Sequence, residues 1–314
     1  MERIDYGMTR HLKGTIPSQQ KDHTTVKGLY LYSSSLSKKQ EDPYVIFWLY
    51  GGAFLSGDVE GNSSSADWIG RQCSVQANCG VDVFLPEFRL APEANFDDVL
   101  WDVSLSYRYL LQIRGVNPNK VLFLGISSGA ALCVRLMQLI AEYQRGEDLL
   151  PSYLSTILEA KDKSGKEDRA LLHMPKAAVL FGPYVDYTIH DTNGSFHHYA
   201  KHDLVVNESV QEYGLPYLDT FIPRGYSRKE YSPVYRSCVG LPPLCVIVSE
   251  HEAVYDMTIG LVNNARSCGV PVTVALFKYL CHVFPFLWAF VPESKISMDF
   301  VVKWICEQTG SVEQ

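Results

Sequence analysis

Short apolar runs alternate with amphipathic stretches along most of the chain. Strands are predicted where the runs are apolar throughout, at residues 28–33, 44–50, 81–88, 120–125, 177–182, 244–249 and 272–280. Apolar residues at helical spacing predict helices near residues 65–79, 97–113, 128–144, 254–267 and 293–308. Buried strands that are separated by helices are typical of a mostly parallel sheet with helices on both faces. The predicted fold class is therefore α/β.

Two segments depart from this alternation. Residues from about 1 to 27 are mostly polar, and residues from about 185 to 240 are rich in Tyr, His, Gly and Pro without strand periodicity. Segments inserted at the carboxyl side of a parallel sheet often cover the ligand crevice. We therefore expect a single domain over residues 1–314, with a cap that both segments contribute.

Composition narrows the classes of function. The chain has 28 Lys and Arg against 35 Asp and Glu, a net charge of -7 that argues against nucleic acid as a partner. The first residues lack the apolar core of a signal peptide, so a cytoplasmic protein without stable membrane insertion is expected. The eight cysteines form no CxxC pair and are expected to be reduced thiols. We expect no metal or organic cofactor, and leave open whether the protein forms a homodimer.

A serine stands between two glycines in the stretch GISSGA, residues 125–130. Ser127 follows a predicted strand and precedes a predicted helix, so it lies on a sharp strand-turn-helix junction that can expose its hydroxyl. The N-terminus of that helix favours negative charge nearby. Ser127 is thus a candidate nucleophile, and the competing interpretation is an ordinary serine in a tight turn.

A serine nucleophile needs a base and an orienting acid, which occur later in the chain of α/β-hydrolases, acid first. Glu250, Glu252 and Asp256 follow the strand predicted at 244–249, and His282 follows the strand predicted at 272–280. His282 is the one histidine of nine that comes after both the serine and the acids. This order favours a catalytic base as the role of His282 over the alternative of a histidine that is merely buried in the core.

Donors for an oxyanion are predicted after the strand at 44–50. Gly51, Gly52 and Ala53 are small residues whose N–H groups could face the site together with the N–H of Ser128. The alternative is a glycine turn that simply ends the strand.

These residues resemble the hormone-sensitive lipase group of α/β-hydrolases over residues 44 to 305. FRLAPE at 88–93, followed by FDD at 96–98, is similar to the YRLAPE stretch and acidic pair of that group. YGGAF resembles its HGGGF loop, GISSGA its GDSAGG motif, and GPYVDYT and YSPVY its SPWVD and SP landmarks. The resemblance implies an α/β-hydrolase fold with a cap over the active site, Ser127 as nucleophile, His282 as base, and an oxyanion hole of Gly51, Gly52, Ala53 and Ser128.

The chain departs from that group at three positions. The acid is usually an Asp followed by Pro-Leu, whereas Glu252 stands here with Asp256 as the second candidate. Tyr50 replaces a histidine, and Ile126 replaces the Asp before the nucleophile. Polar contacts that brace the oxyanion loop must be lost or remade, which predicts weaker or more specialised catalysis.

The leading hypothesis is a carboxylesterase that cleaves small to mid-sized apolar or aromatic esters through an acyl-enzyme. Aromatic residues near the site are the expected pocket wall: Tyr50, Tyr184, Phe284 and Trp288. Two alternatives stay open. One is a binding protein without catalysis, for which the gibberellin receptor of the same group is a precedent, and the other is an acyl-transfer or cyclising enzyme of specialised metabolism.

Overall fold

The structure is a computed structural model that describes residues 1–8, 20–32, 42–149, 154–158, 160–161, 167–168, 172–188, 194–204, 215–287 and 290–310. The strands are β1 (Glu2–Gly7), β2 (Thr25–Leu31), β3 (Tyr44–Leu49), β4 (Val81–Pro86), β5 (Val121–Ile126), β6 (Ala160–Lys161), β7 (Glu167–Asp168), β8 (Ala177–Phe181), β9 (Leu244–Ser249) and β10 (Val272–Phe277).

Eight of these strands form one sheet in the order β1-β2-β4-β3-β5-β8-β9-β10. β1 and β2 pair antiparallel, as do β2 and β4, and the remaining pairs are parallel. Every residue of β4, β5, β8 and β9 is buried, which explains why their sequences are apolar apart from Asp82 in β4 and Ser249 in β9. β6 and β7 pair only with each other.

The α-helices within the described ranges are α1 (Val59–Gln76), α2 (Phe96–Gln112), α3 (Ser128–Arg145), α4 (Ser155–Leu158), α5 (Ser195–Tyr199), α6 (Leu215–Phe221), α7 (Arg228–Tyr231), α8 (Tyr255–Ser267) and α9 (Pro292–Thr309). Local sequence sets their ends. Asn95 and Asp98 form a capping box at the start of α2, and Gly146 ends α3 with a φ of 72°. No helix in the described part of the chain is long and apolar enough to cross a membrane, and the predicted localisation stays a prediction.

The α/β fold class is confirmed, with one correction at the N-terminus. Residues 2–7, which the sequence analysis assigned to the cap, form the outermost strand of the sheet. The segment ERIDYG alternates between exposed and partly buried positions, because an edge strand needs only one covered face. Residues 9–19 of the same predicted segment lie outside the described residues.

Candidate active site

The loops that follow the parallel strands lie at one edge of the sheet. β3, β4, β5, β8, β9 and β10 run in the same direction, so the residues that follow them share that edge. That edge is where α/β folds place their ligands.

Ser127 occupies a tight turn between β5 and α3, here called the serine turn (Gly125–Gly129). Its φ is 51°, a conformation that costs a non-glycine residue about 1–3 kcal/mol. The Ser127 N–H donates to the Phe181 carbonyl at 2.8 Å, and its own carbonyl accepts from the Tyr184 N–H at 3.1 Å. Backbone contacts on both sides therefore hold the strained residue.

The glycines of the serine turn are required by space. A Cβ on Gly125 would lie 2.4 Å from the Ala130 Cα, and one on Gly129 would lie 2.2 Å from the Leu49 carbonyl oxygen. Both obstacles are backbone atoms, which cannot rotate away as a side chain can. The Gly-x-Ser-x-Gly pattern is thus explained by the close approach of α3 to β3 and β5.

Ser127, His282 and Glu252 form one chain of hydrogen bonds. The Ser127 Oγ lies 2.9 Å from the His282 Nε2, and the His282 Nδ1 lies 2.8 Å from the Glu252 Oε2. His282 and Glu252 are 4% and 1% exposed. An ionised Glu252 accepts the Nδ1 hydrogen, which leaves Nε2 free to accept the serine proton.

Burial and the hydrogen bond between His282 and Glu252 have opposite effects on the pKa values of these two residues. Burial alone would lower the pKa of His282, but the hydrogen bond and charge of Glu252 outweigh it and raise that pKa above its ordinary value. Burial also raises the pKa of Glu252, an effect that the hydrogen bond with His282 partly offsets. The arrangement favours a histidine that gains a proton readily from a neighbouring hydroxyl.

Between the two predicted acids, the structure brings Glu252 to the histidine. The second Glu252 oxygen, Oε1, accepts from the Ser249 N–H at 2.9 Å, which fixes the carboxylate in its own loop. Asp256 instead accepts from the Ser195 N–H at 2.6 Å and so attaches α5 to the start of α8. Asp256 has an anchoring contact of its own.

The loop after β3, here called the glycine loop (Gly51–Phe54), lies beside the serine turn. A Cβ on Gly51 would come within 3.2 Å of the Ser127 Cβ, so this residue must be small. Ala53 and Phe54 have positive φ values of 54° and 64°, which shape the loop around the site. Ser128, the fourth predicted donor, begins α3, where a backbone N–H has no intrahelical acceptor.

Contacts from other segments brace the glycine loop. The Phe54 carbonyl accepts from the Ala91 N–H at 2.8 Å, and the Tyr50 ring stacks on Phe88 at 4.2 Å between centroids. Both partners belong to the FRLAPE stretch. Arg89 of that stretch is anchored by Asp102, with its Nε 2.7 Å from Oδ2. An aromatic stack thus occupies the position where the resembled group has a histidine.

The predicted pocket residues lie in different surroundings. Tyr184 is half-buried beside Ser127, to whose carbonyl its N–H donates. Tyr50 and Phe284 are buried in the core at 3% and 1% exposure, so lining a pocket stays a prediction for them. Trp288 lies outside the described residues.

A cluster of aromatic rings surrounds Phe54 at the end of the glycine loop. Ring centroids lie 4.8 to 6.1 Å from Phe54 at three residues, which are Phe96, Tyr187 and Phe221. Tyr184 continues the cluster, 5.5 Å from Tyr187. Phe54 and its three ring partners are buried, so the cluster belongs to the core beside the glycine loop.

Gly182 and Tyr217 are among the residues that contact the site and that the sequence analysis missed. Gly182 follows β8, and a Cβ there would lie 2.9 Å from the His282 ring and 3.0 Å from the Glu252 Oε2. Its place after a strand was a usable signal. Tyr217 of α6 donates its hydroxyl hydrogen to the Ala53 carbonyl. No local pattern marks Tyr217, because 164 residues separate it from its partner.

The fold and the loops define the class of protein. A family model described as the α/β hydrolase fold matches residues 46–286. The chain belongs to this α/β-hydrolase family.

Individual relatives are named as a hydrolase, an esterase or a hormone-sensitive lipase. The chain is similar to an acetyl-hydrolase of Streptomyces hygroscopicus, with 22% identity over 308 residues that cover 98% of this chain and 90% of the relative. A hormone-sensitive lipase structure from a metagenome library superposes with a TM-score of 0.68 at 23% identity, covering 90% of this chain and 81% of that one. An esterase structure from the bacterial hormone-sensitive lipase family superposes with a TM-score of 0.66 at 24% identity, covering 90% of this chain and 81% of that one.

Proposed function

We propose that this protein is a serine esterase that hydrolyses carboxylic esters through an acyl-enzyme. The observation that carries the proposal is the hydrogen-bonded chain from Ser127 through His282 to Glu252 at 2.9 and 2.8 Å. Nucleophile, base and orienting acid in this order and geometry are the working parts of a serine hydrolase.

The reaction has two halves. In the first, the Ser127 oxygen attacks the ester carbonyl carbon while the His282 Nε2 takes the hydroxyl proton, and a tetrahedral oxyanion forms. Its collapse breaks the ester C–O bond, and the imidazolium gives its proton to the leaving alcohol. In the second, water attacks the acyl-enzyme, His282 takes a proton from that water, and collapse returns the proton to Ser127 and releases the acid.

The oxyanion is held by backbone N–H groups of the glycine loop and Ser128. We assign this role to Gly51, Gly52, Ala53 and Ser128, because the loop packs against Ser127 and α3 begins there. Helix α3 also directs its positive N-terminal end at the developing charge.

The preferred substrates are esters with a small to mid-sized apolar or aromatic part. The half-buried Tyr184, whose N–H donates to the Ser127 carbonyl, supports this assignment, since apolar walls stabilise apolar groups and leave ionic ones unpaired. The name acetyl-hydrolase, carried by a relative of similar length, also agrees with a short acyl group.

Covalent labelling of Ser127 tests the proposal. A fluorophosphonate probe is expected to label the purified protein at one serine, identified by peptide mass spectrometry, and p-nitrophenyl acetate is expected to be hydrolysed. Ser127→Ala should abolish labelling and lower kcat/KM by about 10⁴-fold or more. Ser267→Ala, which removes an exposed hydroxyl of α8, is the matched control and should leave both unchanged.

Two outcomes would reject the proposal. If the folded protein neither takes the label nor hydrolyses the ester, the chain is a binding protein built on a hydrolase fold. If the label enters at Ser127 but alcohols or amines added as acceptors capture the acyl group better than water does, the enzyme is an acyltransferase.

A further inference from the structure

A second buried carboxylate lies behind His282. Asp203, just beyond α5, is 7% exposed, and its side chain accepts from three backbone N–H groups. Oδ1 accepts from His282 and from Leu204, and Oδ2 accepts from Ala253 at 2.6 Å. Nothing in the local sequence HDLVV marks this residue, which the motifs do not include.

Two of the three contacts connect separate parts of the site. Ala253 directly follows Glu252 in the loop after β9, and His282 lies in the loop after β10. Asp203 therefore joins the backbones of the two loops whose side chains meet in the Glu252–His282 hydrogen bond. Those loops are linked twice, once by their own side chains and once by a carboxylate from residues 185–240, the segment that was predicted as a cap and is here called the cap-side segment.

The charge of Asp203 has no cation beside it. Within the ranges that the structure describes, no lysine or arginine nitrogen lies within 4.0 Å of its oxygens. All three hydrogen bonds use the side chain as an acceptor, which is the role of an ionised carboxylate. A buried negative charge that only N–H dipoles balance is free to act on a neighbouring imidazolium.

We propose that Asp203 is a positioning residue of the esterase site, which holds the Glu252 and His282 loops together and stabilises the protonated form of His282. The inference rests on the proposed function for its catalytic meaning. Asp203 touches no reacting atom and acts through the His282 backbone and through its charge.

The described groups around His282 show in which direction the charge of Asp203 changes the pKa of that histidine. Glu252 faces the ring from the loop after β9, Ser127 faces it from the serine turn, and Asp203 lies on the backbone side. Cys281 precedes it, with a thiol pKa that burial, Asp203 and Glu252 raise. Burial lowers the pKa of His282, and Glu252 and then Asp203 raise it. Loss of the Asp203 charge must therefore lower the pKa of His282.

Asp203→Asn is the direct test. The amide keeps the size of the side chain, loses the charge and turns one acceptor into a donor that faces an N–H. We expect kcat for p-nitrophenyl acetate at pH 7 to fall about tenfold to a hundredfold with KM changed less than about threefold. The acidic limb of kcat/KM should move to lower pH, because the neutral base persists at lower pH when the pKa of His282 falls.

Asp256→Asn is the matched control. Asp256 also joins the cap-side segment to the loop after β9, but its carboxylate contacts Ser195 and not His282. This variant should lose some thermal stability without moving the acidic limb. The inference is overturned if Asp203→Asn leaves kcat and the limb as in the wild type, or if both variants lose activity equally and in proportion to their stability.

Two further measurements keep the test decisive. If Asp203→Asn does not fold, Asp203→Glu retains the charge on a longer side chain, and a wild-type kcat in that variant contradicts the positioning role. If the wild type takes no fluorophosphonate label, the proposed esterase fails independently. The inference is then tested by NMR titration of the His282 ring, assigned by its absence in His282→Asn. A pKa unchanged by Asp203→Asn would overturn it.

Discussion

The serine turn and the glycine loop flank the same reacting centre but are held by different means. In the serine turn, the contacts are between backbone atoms. The N–H and carbonyl of Ser127 are hydrogen-bonded to the backbones of Phe181 and Tyr184. At Gly125 and Gly129, neighbouring backbone atoms leave no room for a Cβ. β8, the loop after it, β3 and α3 supply these contacts.

The glycine loop has a backbone hydrogen bond from the Ala91 N–H to the Phe54 carbonyl, and it depends otherwise on side chains from elsewhere in the chain. Tyr50 at its base stacks on Phe88, Phe54 packs against Phe221 with centroids 4.8 Å apart, and Tyr217 binds the Ala53 carbonyl. Side chains can be exchanged without rebuilding the sheet. The comparison indicates that the fold fixes Ser127, the proposed nucleophile, whereas the cap-side segment adjusts the glycine loop, which carries the proposed oxyanion donors.

Gly129→Ala gives the largest effect expected from this comparison. The new Cβ would lie 2.2 Å from the Leu49 carbonyl oxygen, so α3 or β3 must move. We expect the free energy of unfolding to fall by about 3 kcal/mol or more, measured by urea denaturation, together with most of the esterase activity.

Gly7→Ala controls for the loss of a glycine. A Cβ at Gly7 in β1 meets nothing within 4 Å, so its free energy of unfolding should change by less than about 1 kcal/mol. Equal, small effects in both variants would mean that the serine turn is as adjustable as the glycine loop, and the comparison would fail.

Tyr217→Phe tests the other side of the comparison. It removes the hydroxyl that binds the Ala53 carbonyl and keeps the ring, which lies 5.4 Å from Phe221. We expect kcat/KM to fall about fivefold to tenfold, less than for direct loss of an oxyanion donor, with a stability change below about 1.5 kcal/mol.

Tyr235→Phe is the matched control for that variant. The Tyr235 hydroxyl also lies on the cap-side segment, but it donates to Asp186 at 2.8 Å, away from the glycine loop. Its activity should stay within about twofold of the wild type. If Tyr217→Phe also leaves the activity within about twofold of the wild type, the glycine loop does not depend on the cap-side segment.

The same contrast explains what the sequence could and could not predict. Ser127 and Glu252 follow buried strands, and His282 follows the half-exposed edge strand β10. Parallel strands bring their carboxyl ends to one edge, so order along the chain predicts proximity. Asp203 and Tyr217 come from the segment at 185–240, where no periodicity fixes their position. Their partners are set by tertiary packing alone.

The misassigned N-terminus has a related cause. β1 is covered on one face only, so its alternating sequence lacks the continuous apolar run by which the other strands were recognised. The choice between Glu252 and Asp256 also needed coordinates. Both follow β9 within seven residues of its end, and their side chains diverge to His282 and Ser195.

Tyr50→Phe is the smallest change and separates the two parts of the aromatic brace. The Tyr50 hydroxyl lies 3.5 Å from the Phe88 carbonyl oxygen, a long contact, whereas the ring is stacked at 4.2 Å with 13° between the planes. Because the stack survives, we expect kcat/KM within about twofold of the wild type and a loss of stability below about 1 kcal/mol. A loss of activity above tenfold would show that the Tyr50 hydroxyl itself takes part in the chemistry. The glycine loop would then depend on a buried hydroxyl group, just as the serine turn depends on buried backbone contacts.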